Sequence, residues 1–147
     1  MNIRQFKQED TTRIFDMMRP FYDSPAVMNK VPDSVLMKDI EDCIGDCPYV
    51  EGYVFEVDDY IAGYSMLAKG YSTEYGGLCI WIEDLYIDPK YRGQGIGQKF
   101  FEFLEEIYGD KAVRFRLEVE ANNEVALAVY KKSGFKELEY IEMSKEK

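Results

Sequence analysis

Between Tyr91 and Phe100 the sequence reads YRGQGIGQKF, three glycines at alternate positions behind an arginine and ahead of an apolar helical run. Glycines spaced that closely weaken any regular element, so the backbone itself is wanted there. A strand, such a loop and then a helix form the arrangement in which backbone N–H groups and the positive end of the helix dipole cradle a phosphate. Two familiar phosphate loops do not fit. A dinucleotide fingerprint needs a third glycine where Gln98 stands. A nucleoside-triphosphate loop needs Gly-Lys-Ser/Thr where the chain has Gln98, Lys99 and Phe100. The chain also has no histidine, which removes Ser-His-Asp and Cys-His mechanisms and nearly all zinc sites, so no metal is expected. Any general base must be a carboxylate, a tyrosine or a water held by them.

At 147 residues, with 46% hydrophobic and 31% charged residues, the composition is globular and the length that of one domain spanning 1–147. No apolar run approaches the ~20 residues that span a bilayer, and the N-terminus MNIRQFKQED lacks the apolar stretch of a secretory signal. A cytoplasmic protein is expected. Three cysteines, Cys43, Cys47 and Cys79, suggest free thiols rather than a disulfide framework. The net charge of -10 argues against nucleic acid and anionic membranes as partners. Acid is concentrated between Asp33 and Asp59, where nine carboxylates face a single Lys38. Such a run is either a solvated surface or a rim that attracts a cationic substrate.

The elements that must position the loop follow from the apolar spacing. Ile3 to Phe6 reads as a strand, and Thr11 to Tyr22 as a helix capped by Thr11 or Thr12. Asp33 is the expected cap of a second helix that Pro48 stops. Val50 to Val57 and Tyr60 to Gly70 read as a hairpin turning at Asp58 and Asp59, and Leu78 to Ile87 as the next strand. A helix from Gly95 to Tyr108, a strand from Val113 to Val119, a helix from Asn123 to Lys132 and a closing strand from Phe135 into Ile141 to Ser144 complete the pattern. The order β-α-α-β-β-β-α-β-α-β is an α/β fold with a mixed sheet. In the fourth strand the apolar phase moves from Ile80 and Ile82 to Leu85 and Ile87, slipping by one near Glu83 and Asp84. Either a β-bulge or a strand buried on both faces accounts for that.

Arg92, Gly95 and Gly97 form Arg-x-x-Gly-x-Gly, and Asn123, Ala126, Tyr130, Gly134 and Phe135 form Asn-x-x-Ala-x-x-x-Tyr-x-x-x-Gly-Phe. Together, at this separation, they resemble the two signatures of the GNAT family of N-acetyltransferases, and the similarity in element order covers nearly the whole chain. YSTEYGG followed by IEDLYI is similar to the polyamine (spermidine/spermine) branch. The resemblance implies a mostly antiparallel sheet flanked by helices, with a splayed, bulged fourth strand, and acetyl-CoA as co-substrate. It implies a pyrophosphate cradle of Arg92, Gly93, Gln94, Gly95, Ile96 and Gly97, and a pantetheine arm paired with the backbone of Leu85, Tyr86 and Ile87.

Transfer of an acetyl group to an amine needs a neutral amine, an oxyanion donor and a proton for the departing thiolate. An ammonium titrates near ~10.4, so a base must take its proton at neutral pH. By the resemblance Glu83 is that base, directly or through water, Asp84 holds the cationic end of the acceptor, and Tyr130 protonates the thiolate. A backbone N–H near Leu85 or Tyr86 is the oxyanion donor. Asn123 either contacts pantetheine or caps its helix. The expected acceptor is a small primary amine, with diamines and polyamines as one class. Acetylation of a protein N-terminus or lysine, and a non-catalytic acetyl-CoA module, stay open as alternatives. The family usually ends in a two-stranded hairpin and few residues follow Gly134, so the tail forms one bent strand or pairs across a homodimer.

Overall fold

The computed structural model describes residues 1–147. Its regular elements are β1 (Asn2–Gln5), α1 (Thr11–Tyr22), α2 (Asp33–Ile44), β2 (Val50–Val57), β3 (Tyr60–Ser72), β4 (Gly77–Ile87), α3 (Ile96–Tyr108), β5 (Ala112–Leu117) and α4 (Glu124–Lys132). The strands form one sheet in the order β1-β2-β3-β4-β5, antiparallel except for the parallel pair β4–β5. The helix α3 is the crossover that a parallel pair requires.

Each face of the sheet buries its own apolar set. On one face Phe55, Leu67, Ile80 and Ile82 pack against Ile96, Phe100, Phe101 and Leu104 of α3. On the other, Val54, Tyr64 and Met66 pack against Ile14, Met17 and Met18 of α1 and Leu36 and Ile40 of α2. The helices thus lie where their i, i+3 and i+4 apolar positions predict. The β2–β3 hairpin turns at Asp58 and Asp59, both with positive φ (49° and 65°), which matches the right-handed twist of the strands.

Three local expectations are corrected. The N-cap of α1 is Asp10, without a side-chain capping bond, because its carboxylate is taken by Arg4 at 2.7 Å and by the N–H of Lys7 at 2.8 Å. Asp33 is the first residue of α2 rather than its cap; Pro32 precedes it and Asp33 pairs with Arg19 at 2.8 Å. That helix also stops at Ile44, ahead of Pro48, where Gly45 takes up an extended conformation.

The largest correction is at the C-terminus. No closing strand follows Phe135; residues 136–147 form no regular element, and β5 is the edge of the sheet. Leu138, Tyr140, Ile141 and Met143 are exposed between charged neighbours. A single segment this polar buries too little surface on one face to hold a strand by itself. Its anchor is polar instead, the Tyr140 hydroxyl donating to Glu74 at 2.8 Å.

Gly63 fixes how closely β3 and β4 approach. A Cβ there would lie 2.4 Å from the Tyr86 carbonyl oxygen and 2.9 Å from the Phe55 ring. Gly63→Ala is therefore expected to cost about 1–3 kcal/mol in urea denaturation, the range for overpacking. A change within experimental error would mean that the two strands can part there without loss.

Candidate active site

The site begins with a break in register. Met66 pairs with Asp84 and Leu67 with Ile82, so Glu83 is the extra residue of a bulge in β4. Across the bulge Ile80 and Ile82 face the α3 core, and Leu85 and Ile87 return to it. The β4–β5 ladder ends at the pair Ile82–Leu117, yet β4 continues to Ile87 with β3 as its only partner. The backbone of Glu83 to Ile87 on the side away from β3 therefore lies along a gap between diverging strands.

That gap opens into a cleft of about 1630 Å³, more than the ~300–1,000 Å³ of a single small-molecule site. Phe21, Tyr22 and Ser24 to Met28, then Glu83, Asp84 and Leu85 of the bulge, and Leu117, Asn123 and Tyr130 are among its lining residues. The volume leaves room for two substrates.

The two acids of the bulge have different surroundings. Glu83 is exposed to the cleft, but its crowded walls desolvate the carboxyl and, with Glu142 nearby, push it above the ordinary value. Asp84 is only 2% exposed. It accepts hydrogen bonds from the Tyr22 hydroxyl at 2.7 Å and the Tyr64 hydroxyl at 3.1 Å, while Ser65 Oγ donates to its backbone carbonyl at 2.7 Å. Burial pushes the Asp84 carboxyl up to about 7, and the two phenols pull against that shift without cancelling it. Glu118 is raised as well, first by desolvation and then by the carboxyls of Glu142 and Glu83, with Arg116 opposing.

Tyr130 lies on α4 with its ring edge-on to Phe101 at 5.7 Å. Its hydroxyl is not sealed away unpaired; that description fits only Ser133 Oγ. Burial raises its pKa, so the phenol keeps its proton at neutral pH. Asn123 caps α4 through Oδ1, which accepts from the N–H of Ala126 at 3.2 Å, leaving its side-chain NH₂ outside the capping bond.

The glycine loop lies past the end of β4, outside the cleft lining. Gly93 and Gly95 have φ of 75° and 76°, and no atom lies within 4 Å of the Cβ that either would carry. Gly95 precedes α3 with no side-chain cap, so the first N–H groups of that helix are left to an external acceptor. Gly97 fits between Ile87 and Val129, each 3.8 Å from its Cβ position. An open backbone concavity at an uncapped helix start fits a pyrophosphate. Arg92 is turned toward the strand, Nε donating to the Ile87 carbonyl at 2.9 Å, and the rest of its guanidinium is free of protein hydrogen bonds.

None of the acidic residues between Asp33 and Asp59 lines the cleft. Several are paired elsewhere: Glu56 with Arg4, Asp42 with Lys38, and Glu51 with Lys69, Tyr53 and Tyr108. That run lies outside the cleft, whose lining acids are Glu83, Asp84, Glu105, Glu118, Glu120, Glu137 and Glu142. The sequence had offered no sign of Glu118, Tyr22 or Tyr64 as site residues, because each meets β4 only through tertiary pairing.

The acetyltransferase (GNAT) family model matches residues 12–135. The chain is 32% identical over 147 residues to the thialysine N-epsilon-acetyltransferase of Sus scrofa, covering 92% of this chain and 84% of that one. It is 30% identical over 98 residues to the spermine/spermidine N(1)-acetyltransferase of Bacillus subtilis, covering 61% of this chain and 62% of that one. A crystal structure of a possible acetyltransferase from Clostridium difficile 630 superposes with a TM-score of 0.83 at 24% identity, covering 99% and 96% of the two chains. No helix is long and apolar enough to cross a membrane.

The raised Asp84 carboxyl ties stability to pH. The folded state binds the Asp84 proton more tightly than the unfolded chain, so this contribution is complete below about pH 4 and is lost as pH rises through the folded value. The stability of Asp84→Asn relative to the native sequence is therefore expected to climb between pH 5 and pH 8 in urea denaturation. A difference independent of pH would mean that Asp84 titrates as an ordinary carboxylate.

Proposed function

The chain belongs to the GNAT acetyltransferase family, and on that premise we propose that it transfers an acetyl group from acetyl-CoA to the primary amine of a small molecule. The observation that carries the reading is that Glu83 and Tyr130 line one cleft, at the place where β4 leaves β5. A carboxylate and a protonated phenol in one cleft supply the base and the acid that acyl transfer needs.

Acetyl-CoA supplies the thioester. The N–H groups from Gln94 to Gly97, with Arg92, would hold its pyrophosphate, and the free edge of β4 at Leu85, Tyr86 and Ile87 its peptide-like arm. Glu83 takes a proton from the acceptor ammonium, directly or through water, and its raised pKa brings it nearer to a base poised for neutral pH. As the amine nitrogen bonds to the acetyl carbon, an N–H of Leu85 or Tyr86 stabilises the charge on the carbonyl oxygen. The carbon–sulfur bond then breaks, Tyr130 gives its proton to the thiolate, and the nitrogen releases its second proton, which restores the phenol through solvent. The acids Glu83, Glu118 and Glu142 favour a cationic acceptor, a class that includes polyamines and basic amino acids.

Two variants test the two halves of this reading. Gly95→Val would fill the concavity at a position of positive φ, and calorimetry on the folded variant is expected to show no measurable CoA binding. Retained affinity would move the phosphates elsewhere. Thiol release from acetyl-CoA, followed with spermidine, lysine, thialysine, an aminoglycoside and an N-terminal peptide, is expected to show turnover of at least one small amine. In that assay Tyr130→Phe should lower kcat by about 10²-fold with CoA affinity kept. Turnover of the peptide alone would overturn the small-amine reading, and an unchanged kcat would reduce Tyr130 to a packing residue.

A further inference from the structure

Arg116 is a cation without a hydrogen-bonded partner. Arg4, Arg13, Arg19, Arg92 and Arg114 each donate hydrogen bonds within the protein, whereas Arg116 makes no hydrogen bond and no salt bridge. It is half-buried and held over the Trp81 ring, 4.3 Å from the centroid. A guanidinium stacked on an indole has surrendered much of its freedom while its N–H fork stays open, the state in which it best receives a carboxylate or phosphate.

Its position points to the acceptor. Trp81 and Arg116 are opposite each other in the β4–β5 ladder. Phe115 and Leu117 pack into the α3 core, so Arg116 projects from the other face, as Trp81 does. Glu83 is two residues beyond Trp81 on that strand, roughly 7 Å along it. Arg116, Glu118 and Glu83 all line the cleft, and Glu118 senses both the Arg116 charge and the Glu83 charge.

We propose that Arg116 on Trp81 binds the α-carboxylate of the acceptor, and that the preferred acceptor is an α-amino acid with a side-chain amine. This rests on the amine-acetylation reading given above. The carboxylate meets the guanidinium, the α-ammonium lies beside Glu118, and the side-chain amine reaches Glu83 across the length of an extended basic side chain. A diamine of the same length keeps the ammonium beside Glu118 and the amine at Glu83 but has no carboxylate for Arg116, which discriminates against it.

Lysine and cadaverine differ only by the carboxylate, as do ornithine and putrescine, so these pairs isolate the subsite. The ratio of kcat/KM for lysine over cadaverine is expected to exceed one, and to fall by roughly tenfold to a hundredfold in Arg116→Ala, the range for losing a charged hydrogen-bonded partner. The loss should appear in KM for lysine, with partial recovery in Arg116→Lys. An unchanged ratio, or a rise in KM for acetyl-CoA in place of lysine, overturns the assignment, the latter by giving Arg116 to a phosphate of the co-substrate. Trp81 is the single tryptophan of the chain and gives a readout that needs no turnover. With CoA bound, lysine should change its fluorescence saturably at concentrations about tenfold below those of cadaverine, and Arg116→Ala should abolish that difference. Equal responses to the two ligands overturn the subsite even if acetyl transfer is observed, whereas a lysine-selective response without transfer would sink the catalytic reading and leave the subsite standing.

Discussion

One inserted residue in one strand sets the rest. Without the bulge at Glu83, the alternation of Ile80 and Ile82 would carry Asp84 and Tyr86 into the apolar layer beneath α3, where no hydrogen-bond donor waits. With it, Leu85 and Ile87 return to that layer, and Asp84 emerges on the opposite face between two phenols. A carboxylate buried without partners would be costly enough to unfold a domain of this size. The bulge therefore does two things in one step. It finds the acid its donors, and it directs a second acid, Glu83, into the cleft.

The same break explains why the cleft exists. A strand that bends at a bulge cannot keep a straight neighbour in register for long. The parallel ladder with β5 ends at Ile82–Leu117, one residue before the extra one. Beyond that point β4 has a backbone edge with no strand on it, bounded by α4 on one side and the loop after α1 on the other. A chain with net charge -10 is a poor host for phosphates by its side chains. Its loop at Gly93 and Gly95 instead offers backbone donors at an uncapped helix start, where the global charge matters little over a few ångströms.

Much of this was legible in the sequence because it is written locally. The phase slip between Ile82 and Leu85 offered the bulge as one of two readings, Asp58 and Asp59 marked the hairpin turn, and the alternate glycines marked the loop ahead of α3. Helix caps were less legible. Asp10 and Asp33 are good capping residues by type, but Arg4 and Arg19 compete for their carboxylates, and such competition is invisible along the chain. The closing strand was misread for a related reason. Alternation of Leu138, Tyr140 and charged residues is a strand pattern only if a neighbouring edge pays back its ordering entropy, and this tail does not pair with β5. Tyr22, Tyr64, Glu118 and Arg116 went unrecognised as site residues because each acquires its role from a partner far away in sequence or across the sheet.

The two faces of the sheet divide these residues between them. On the α3 face the Tyr130 ring packs edge-on against Phe101, and Gly97 lies against Ile87 and Val129. On the other face Trp81 and Arg116 stand opposite each other in the ladder, and the Tyr22 hydroxyl holds Asp84. Both faces contribute residues to the cleft that opens where β4 and β5 diverge. Arg116 contributes a cation without a hydrogen-bonded partner and Tyr22 a phenol bound to a carboxylate, and neither belongs to the α3 core. Charges gather at the bulge, where Glu83, Asp84, Arg116 and Glu118 line the cleft, while Tyr130 and Gly97 belong to the half packed on α3 and α4.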